Sequence, residues 1–147
     1  ADSPAALQRR RSIIKLCGMG RYDRVVRPFM NRILAPRRAA DPRLRDLVLA
    51  MTNGAGPETM AQDTKAIMER GDYNDVLPRI AVPTLILSGR NDFLTPPREA
   101  ERMAALIPGA ELHTFDDCGH LCTIEQPRAA AGAIAHFLDK VSAAPRA

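Results

Sequence analysis

The sequence predicts an α/β fold in which a helical segment, residues 1–78, precedes a βαβα unit of a parallel sheet, residues 79–147. In the first segment, apolar side chains recur at the three- and four-residue spacings of amphipathic helices. In the second, short apolar runs alternate with helical patterns, which is typical of parallel sheets. The 147 residues are 46% hydrophobic, which is enough for one compact domain with a buried core.

Four short amphipathic helices are predicted in the helical segment, and they must pack on one another because such helices are marginal alone in water. Ser-Pro and Asp-Pro pairs mark the starts of the first and third helices, since each pair gives an N-cap followed by a first-turn proline. The helices run over residues 5–16, 22–34, from 42 to the glycines at 54 and 56, and 57–69. The buried side of the third is expected to hold Leu44, Leu47, Val48 and Met51.

Two strands and two helices are predicted after Pro78. A strand within Val82–Gly89 precedes a helix over Pro97–Leu106, since an apolar run ended by glycine is typical of a strand covered on both faces. A second strand over Glu111–Phe115 leads to a helix from Pro127 to about Val141. The inward side of this last helix is expected to hold Ala130, Ile134, Phe137, Leu138 and Val141.

Two strands are too few for a stable open parallel sheet, because their outer edges carry unpaired backbone groups and their faces carry bare apolar side chains. The run at residues 84–87 contains no charge or proline that would protect such an edge. We therefore expect a partner, which is either a missing N-terminal half or a second chain that completes the sheet.

Composition and charge argue against several classes of protein. Cys17, Cys118 and Cys122 form no dense disulfide or zinc-binding framework, so we expect free thiols, a reducing compartment and no metal. No membrane-spanning run and no leader sequence is visible, so a cytoplasmic protein without membrane contact is expected. Residues 1–45 hold twelve Lys/Arg against three Asp/Glu, but with few aromatics and no nucleic-acid motif we expect a solvated face and no nucleic-acid partner.

Two polar loops, residues 89–97 and 116–120, follow the two predicted strands. Functional groups collect at the carboxyl ends of parallel strands. Asp92 in the first loop and His120 in the second lie 28 residues apart, a spacing that one helix and one strand fill. A carboxylate can orient an imidazole that takes a proton from a nucleophile and later returns it. From spacing alone, a histidine that caps a helix or points to solvent is the other interpretation.

Two longer patterns surround these residues. Residues 83–97 read Pro-Thr-Leu-Ile-Leu-Ser-Gly-Arg-Asn-Asp-Phe-Leu-Thr-Pro-Pro, and residues 118–127 read Cys-Gly-His-Leu-Cys-Thr-Ile-Glu-Gln-Pro. They resemble the last two strand–loop segments of the α/β-hydrolase fold, in its cap-bearing esterase, lipase and C–C hydrolase-like members. The resemblance implies that the chain is the C-terminal portion of such a hydrolase. It also implies that Asp92 and His120 are the acid and the histidine of a catalytic triad, and that residues 1–78 are the cap. Glu125 is expected to cap the final helix and fix the loop.

The nucleophile of that family is absent. Its serine stands in Gly-x-Ser-x-Gly at a strand-to-helix turn, and no such motif surrounds the four serines at positions 3, 12, 88 and 142. The glycine-containing loop that supplies an oxyanion-hole amide is also missing. Cys118 and Cys122 are poor substitutes for the serine, because a thiolate there would share a loop with its own base.

Two hypotheses follow from these patterns. In the first, an intact parent hydrolyses a small, fairly apolar ester or related substrate through a serine, Asp92 and His120, without a cofactor, and this chain alone is inactive. In the second, the chain is a non-catalytic interaction or assembly module that forms a homodimer through its incomplete sheet. Binding of an acidic polymer by residues 9–45 is a weaker third. No motif identifies the substrate-binding residues.

Overall fold

The computed structural model describes residues 3–143, and its elements follow the predicted order. Within that range, the helical segment contains α1 (Pro4–Gly18), α2 (Asp23–Ile33), α3 (Pro36–Ala39) and α4 (Pro42–Glu69). A 3₁₀ turn at Leu77–Arg79 then leads to β1 (Leu85–Gly89), α5 (Pro97–Leu106), β2 (Glu111–Phe115), α6 (Cys122–Glu125) and α7 (Pro127–Ala143). The short helices α3 and α6 were not predicted. No helix in the described range is both long and apolar enough to cross a bilayer.

The predicted helix starts are confirmed by their capping hydrogen bonds. The Ser3 hydroxyl accepts from the Ala6 amide at 3.2 Å, and the Asp41 carboxylate accepts from the Arg43 amide at 2.9 Å. The third and fourth predicted helices join in α4, which bends at Gly56, whose φ of 79° and ψ of 173° are not helical. Gly56 supplies the positive φ and the proline that follows starts the second half, so the bend lies where the sequence placed a boundary.

The strands β1 and β2 pair in parallel, with Leu85 opposite Glu111 and Gly89 opposite Phe115. Helices cover both faces of this two-stranded sheet. On one face Ile86 packs against side chains of α5, and on the other Leu87 and Phe115 pack against α7. The arrangement is the predicted βαβα unit, and it brings the carboxyl ends of both strands to the same edge.

The helical segment and the sheet unit share a core. The buried residues of this core belong to α2, the residue that follows it and α4: Val26, Met30, Ile33, Leu34 and Val48. Leu94 and Leu121, from the loops that follow the strands, and Ile124 of α6 pack against them. The helical segment therefore lies directly against the loops that carry Asp92 and His120. The division of the chain into a cap and a hydrolase core near residue 78 stays a prediction.

Two predicted inward faces are in part exposed. Leu47 and Met51 of α4 lie open to solvent, as do Ile134 and Leu138 of α7. Amphipathic spacing correctly located the apolar side of each helix, but the described chain holds too little structure to cover it. A 17-residue helix such as α7 is about 25 Å long, whereas a five-residue strand spans only about 17 Å. The far end of the apolar stripe therefore extends past the sheet.

A matched pair of Leu→Ala variants tests this account of covered and uncovered faces. Leu34→Ala removes a side chain that is 1% exposed and should lower the free energy of unfolding by about 2–5 kcal/mol. Leu138→Ala removes one that is 54% exposed and should change it by no more than about 0.5 kcal/mol. Urea denaturation at two protein concentrations measures both. If Leu138→Ala instead lowered the free energy of unfolding as much as Leu34→Ala does, and more so at the higher protein concentration, a second copy of the chain would cover α7.

Candidate functional site

The structure brings together the two residues that the sequence analysis selected. Asp92 lies in the loop after β1, and His120 lies in the loop after β2. His120 Nδ1 is 2.8 Å from Asp92 Oδ2. Because a carboxylate only accepts hydrogen bonds, Nδ1 carries the proton and the lone pair of the neutral ring lies on Nε2. Such a pair is suited to general acid–base chemistry.

The carboxylate of Asp92 is held from its other side by backbone amides. Its Oδ1 accepts from Leu94 N at 2.8 Å and from Thr95 N at 2.9 Å, so only Oδ2 is available to the imidazole. The side chain of Asp92 is 8% exposed, whereas that of His120 is 38% exposed. Asp92 is therefore a fixed, buried acceptor, and His120 presents an accessible ring.

Hydrogen bonds and an ion pair join the loop that carries Asp92 to the loop that carries His120. Arg90 N donates to Phe115 O at 2.9 Å, and Asn91 N donates to Cys118 O at 2.8 Å. The side chain of Arg90 also pairs with Asp116. A Cβ at Gly89 would lie 2.0 Å from Gly119 O, which is far inside contact distance. Only glycine permits this approach, and the approach sets the distance between the loops.

The histidine loop also rests on the helical segment. A Cβ at Gly119 would lie 2.6 Å from Ala35 N. His120 N donates to Ile33 O at 2.9 Å. Arg38 Nε donates to Asp117 O at 3.2 Å, next to a turn in which Asp117 adopts a positive φ of 50°. The position of His120 therefore depends on the end of α2 as well as on the sheet.

Glu125 fixes this loop, as predicted, but its hydrogen bonds do not cap α7. The carboxylate accepts from the amides of Gly119, Leu121 and Ala35 at distances of 2.9–3.1 Å. The predicted capping role is therefore wrong, because both carboxylate oxygens point back toward the loop and the end of α2.

The cysteines are buried free thiols in the structure. Burial raises the pKa of Cys118, and the neighbouring Cys122 adds to the effect. Burial likewise raises the pKa of Cys122 and of Cys17. A nucleophilic cysteine needs the opposite shift, so both loop thiols are unsuited to attack. Across residues 3–143, no group of three or more His, Cys, Asp or Glu side chains is placed to hold a metal ion.

A cleft of about 150 Å³ opens beside the Asp92–His120 pair. Ser88, Thr95 and Met103 line it together with the pair. Ser88 is buried in β1, whereas Ser12 and Ser142 are exposed on helices. A larger cleft of about 330 Å³ at the start of α2 is lined by Asp23, Arg24, Arg27 and Pro28.

Sequence reasoning missed Thr95 and Met103 as cleft residues. Thr95 could have been found, since it belongs to the loop that follows the first predicted strand, where functional groups collect. Met103 carried no signal beyond its place on the apolar side of α5. His113 and His136, which were not selected, are exposed on β2 and α7, outside the cleft.

Comparison with known proteins finds matches over most of the chain. A family model described as alpha/beta hydrolase fold matches residues 19–127. The pimeloyl-[acyl-carrier protein] methyl ester esterase of Aromatoleum aromaticum is 32% identical over 127 residues, which cover 86% of this chain and 44% of that protein. A 2-hydroxy-6-oxononadienedioate/2-hydroxy-6-oxononatrienedioate hydrolase of a Pseudomonas species is 41% identical over 59 residues, which cover 40% of this chain and 21% of that protein.

Among solved structures, a thermophilic esterase from Thermogutta terrifontis, with malate bound, is similar to this chain with a TM-score of 0.87 and 32% identity. The match covers 95% of this chain and 52% of the esterase. The chain thus spans about half of that structure and less than half of the curated relatives.

The close contact at Gly119 is tested by adding one methyl group. Gly119→Ala should lower the free energy of unfolding by about 1–3 kcal/mol, because the methyl group meets backbone atoms that do not yield easily. Gly132→Ala on α7, where a Cβ meets nothing within 4 Å, is the matched control and should raise it by about 0.5–1 kcal/mol. Urea denaturation measures both variants. Equal effects of the two substitutions would contradict the contact.

The burial of the three cysteine thiols leads to a prediction about their reactivity. Because burial raises their pKa, little thiolate forms at pH 8, and the three cysteines of the native chain should react slowly with a disulfide reagent. The rate in denaturant should be higher by about two orders of magnitude or more, since native reaction requires local opening. Absorbance of the released thiol measures both rates. Fast native labelling of Cys118 or Cys122, located by peptide mass, would contradict the burial.

Proposed function

Because the chain belongs to the α/β-hydrolase fold family, we propose that Asp92 and His120 are the acid and the base of a Ser-His-Asp triad. The proposed parent enzyme hydrolyses a small, fairly apolar ester or a related substrate. The 2.8 Å hydrogen bond between His120 Nδ1 and Asp92 Oδ2 carries this proposal. Residues 83–97 and 118–127 resemble two motifs of this family. Asp92 and His120 occupy the positions of the triad acid and the triad histidine in those motifs.

In the proposed reaction, Nε2 of His120 takes the proton from a serine hydroxyl as the oxygen attacks the acyl carbon. Asp92 stabilises the imidazolium that forms and keeps the ring in the correct tautomer. The imidazolium then gives the proton to the leaving alcohol, and an acyl-serine remains. Water then attacks the acyl carbon as the same ring takes its proton, the bond to the serine oxygen breaks, and the imidazolium returns the proton to that oxygen as the acid product leaves.

The nucleophile and the oxyanion-hole amides of this reaction lie outside the 147 residues. Removal of one oxyanion-hole donor alone costs about a hundredfold to a thousandfold in rate. Without the serine as well, the covalent route is closed. We therefore propose that the chain alone is inactive and that an N-terminal half, or a second chain, supplies these groups.

The uncovered surfaces support a partner of this kind. Within the described residues β1 pairs only with β2, so its other edge is open. On α7, the helix that packs against this sheet, the apolar side chains of Ile134 and Leu138 are exposed. Further strands beside β1 would pair the open edge and extend the sheet under α7. A homodimer that uses this edge without catalysis is the second candidate. Such a homodimer gives no reason for the hydrogen bond between Asp92 and His120.

The proposal is tested by turnover of a p-nitrophenyl ester, with intact mass measured on the same sample. The chain alone, a single species of 16.1 kDa, should give no turnover above buffer. A chimera that joins it to the N-terminal half of the Thermogutta terrifontis esterase should turn the ester over. In that chimera His120→Ala should lower the rate by about 10³-fold or more, and His136→Ala, an exposed histidine on α7, should leave it unchanged.

Two results would contradict the proposal. Turnover by the single species that is lost in His120→Ala or Ser88→Ala would show that this chain contains the nucleophile. An active chimera that is insensitive to His120→Ala would show that His120 is not the base. A stable inactive dimer of the chain, together with an inactive chimera, would favour the assembly module.

A further inference from the structure

The carboxylate of Glu125 is 3% exposed, which makes it the most deeply buried acidic group among the described residues. Burial of a carboxylate is costly unless hydrogen bonds replace its hydration. Here Oε1 accepts from Gly119 N at 3.0 Å and from Leu121 N at 3.1 Å, and Oε2 accepts from Gly119 N and Ala35 N, both at 2.9 Å. Both oxygens serve as acceptors, so the group binds as a carboxylate whose partners are backbone amides.

These amides come from two parts of the chain. Gly119 and Leu121 flank His120 in the loop after β2, whereas Ala35 follows α2 and is 90 residues away from Glu125 in sequence. Glu125 thus ties the histidine loop to the helical segment through a single side chain.

These hydrogen bonds fix the backbone on both sides of His120. Three consecutive amides, those of residues 119, 120 and 121, are all held. The first and third donate to Glu125, and that of His120 itself donates to Ile33 O at 2.9 Å. Ile33 and Ala35 enclose Leu34, so both anchors lie at the end of α2.

We propose that Glu125 is a positioning residue that sets the orientation of His120 toward Asp92 and couples this orientation to the end of α2. The inference rests on the proposed function, in which His120 is the base. It adds that the helical segment and the base move together: a displacement of α2 shifts Ile33 O and Ala35 N, and Glu125 transmits the shift to both sides of His120.

Two variants of the full chain test the proposal. Glu125→Gln keeps the size of the side chain but replaces one acceptor oxygen with an amide donor, which conflicts with at least one of the three N–H groups. Glu125→Ala removes all four hydrogen bonds. Glu101→Gln, an exposed residue on α5, is the matched control for loss of one carboxylate.

The readouts are the ring ¹⁵N and Nδ1–H signals of the histidines and the exchange rates of the Gly119 and Ala35 amides. The other two histidines, His113 and His136, are exposed on β2 and α7 and serve as internal controls. Asp92→Asn supplies the reference spectrum of a His120 ring without its carboxylate partner. A role limited to overall stability would lower the unfolding midpoint without changing the His120 signals of the folded molecules.

In Glu125→Gln we expect exchange of the Gly119 or the Ala35 amide to rise about tenfold or more. We also expect the His120 ring signals to shift toward those of Asp92→Asn, with a larger shift in Glu125→Ala. His113, His136 and the Glu101→Gln spectrum should not change.

Unchanged His120 signals in folded Glu125→Gln and Glu125→Ala would overturn the proposal. So would unfolding of Glu125→Gln under the conditions in which Glu101→Gln is folded, since Glu125 would then support the whole fold rather than His120. No step measures turnover, so the dependence of His120 on Glu125 is decided separately from the proposed function, which an active chimera that is insensitive to His120→Ala would reject.

Discussion

Three backbone segments meet in this protein without space for a side chain between them: the end of β1 at Gly89, the loop after β2 at Gly119, and the end of α2 at Ala35. The contact is possible because two of the three positions are glycines. It makes the sheet, the histidine loop and the helical segment one unit. The hydrogen bonds of Asp92 and His120 have their short distances because the loops that carry them are stacked on this contact.

The two buried carboxylates near this contact are held by the same kind of partner. Asp92 and Glu125 are both buried carboxylates, and backbone amides hold both of them. Fixed amide dipoles need little reorganisation when charge changes nearby. The bonds to Asp92 leave one of its oxygens available to the imidazole, whereas those to Glu125 occupy both oxygens. One carboxylate can therefore serve chemistry, and the other can serve only structure.

The sequence predicted most of the fold because its helices and strands have clear local signals. Caps at Ser3 and Asp41 and the apolar run that ends at Gly89 each depend on neighbouring residues, and the structure confirms them. The exposure of Leu138 was not predictable, since amphipathic spacing shows which side of a helix is apolar but not what covers it. The hydrogen bond from Ala35 to Glu125 was missed because the two residues lie 90 positions apart, and no pattern along the chain relates them.

The spacing of these contacts has a consequence for the order of folding. Asp92 and His120 are 28 residues apart within one βαβ unit, whereas the bond from Glu125 to Ala35 closes a loop of 90 residues. Through the loss of chain entropy, the longer closure costs about 1 kcal/mol more free energy than the shorter one. Contacts of short range form first when other factors are equal. Asp92 and His120 can thus be paired before the helical segment docks, and docking would then restrain a pair that already exists.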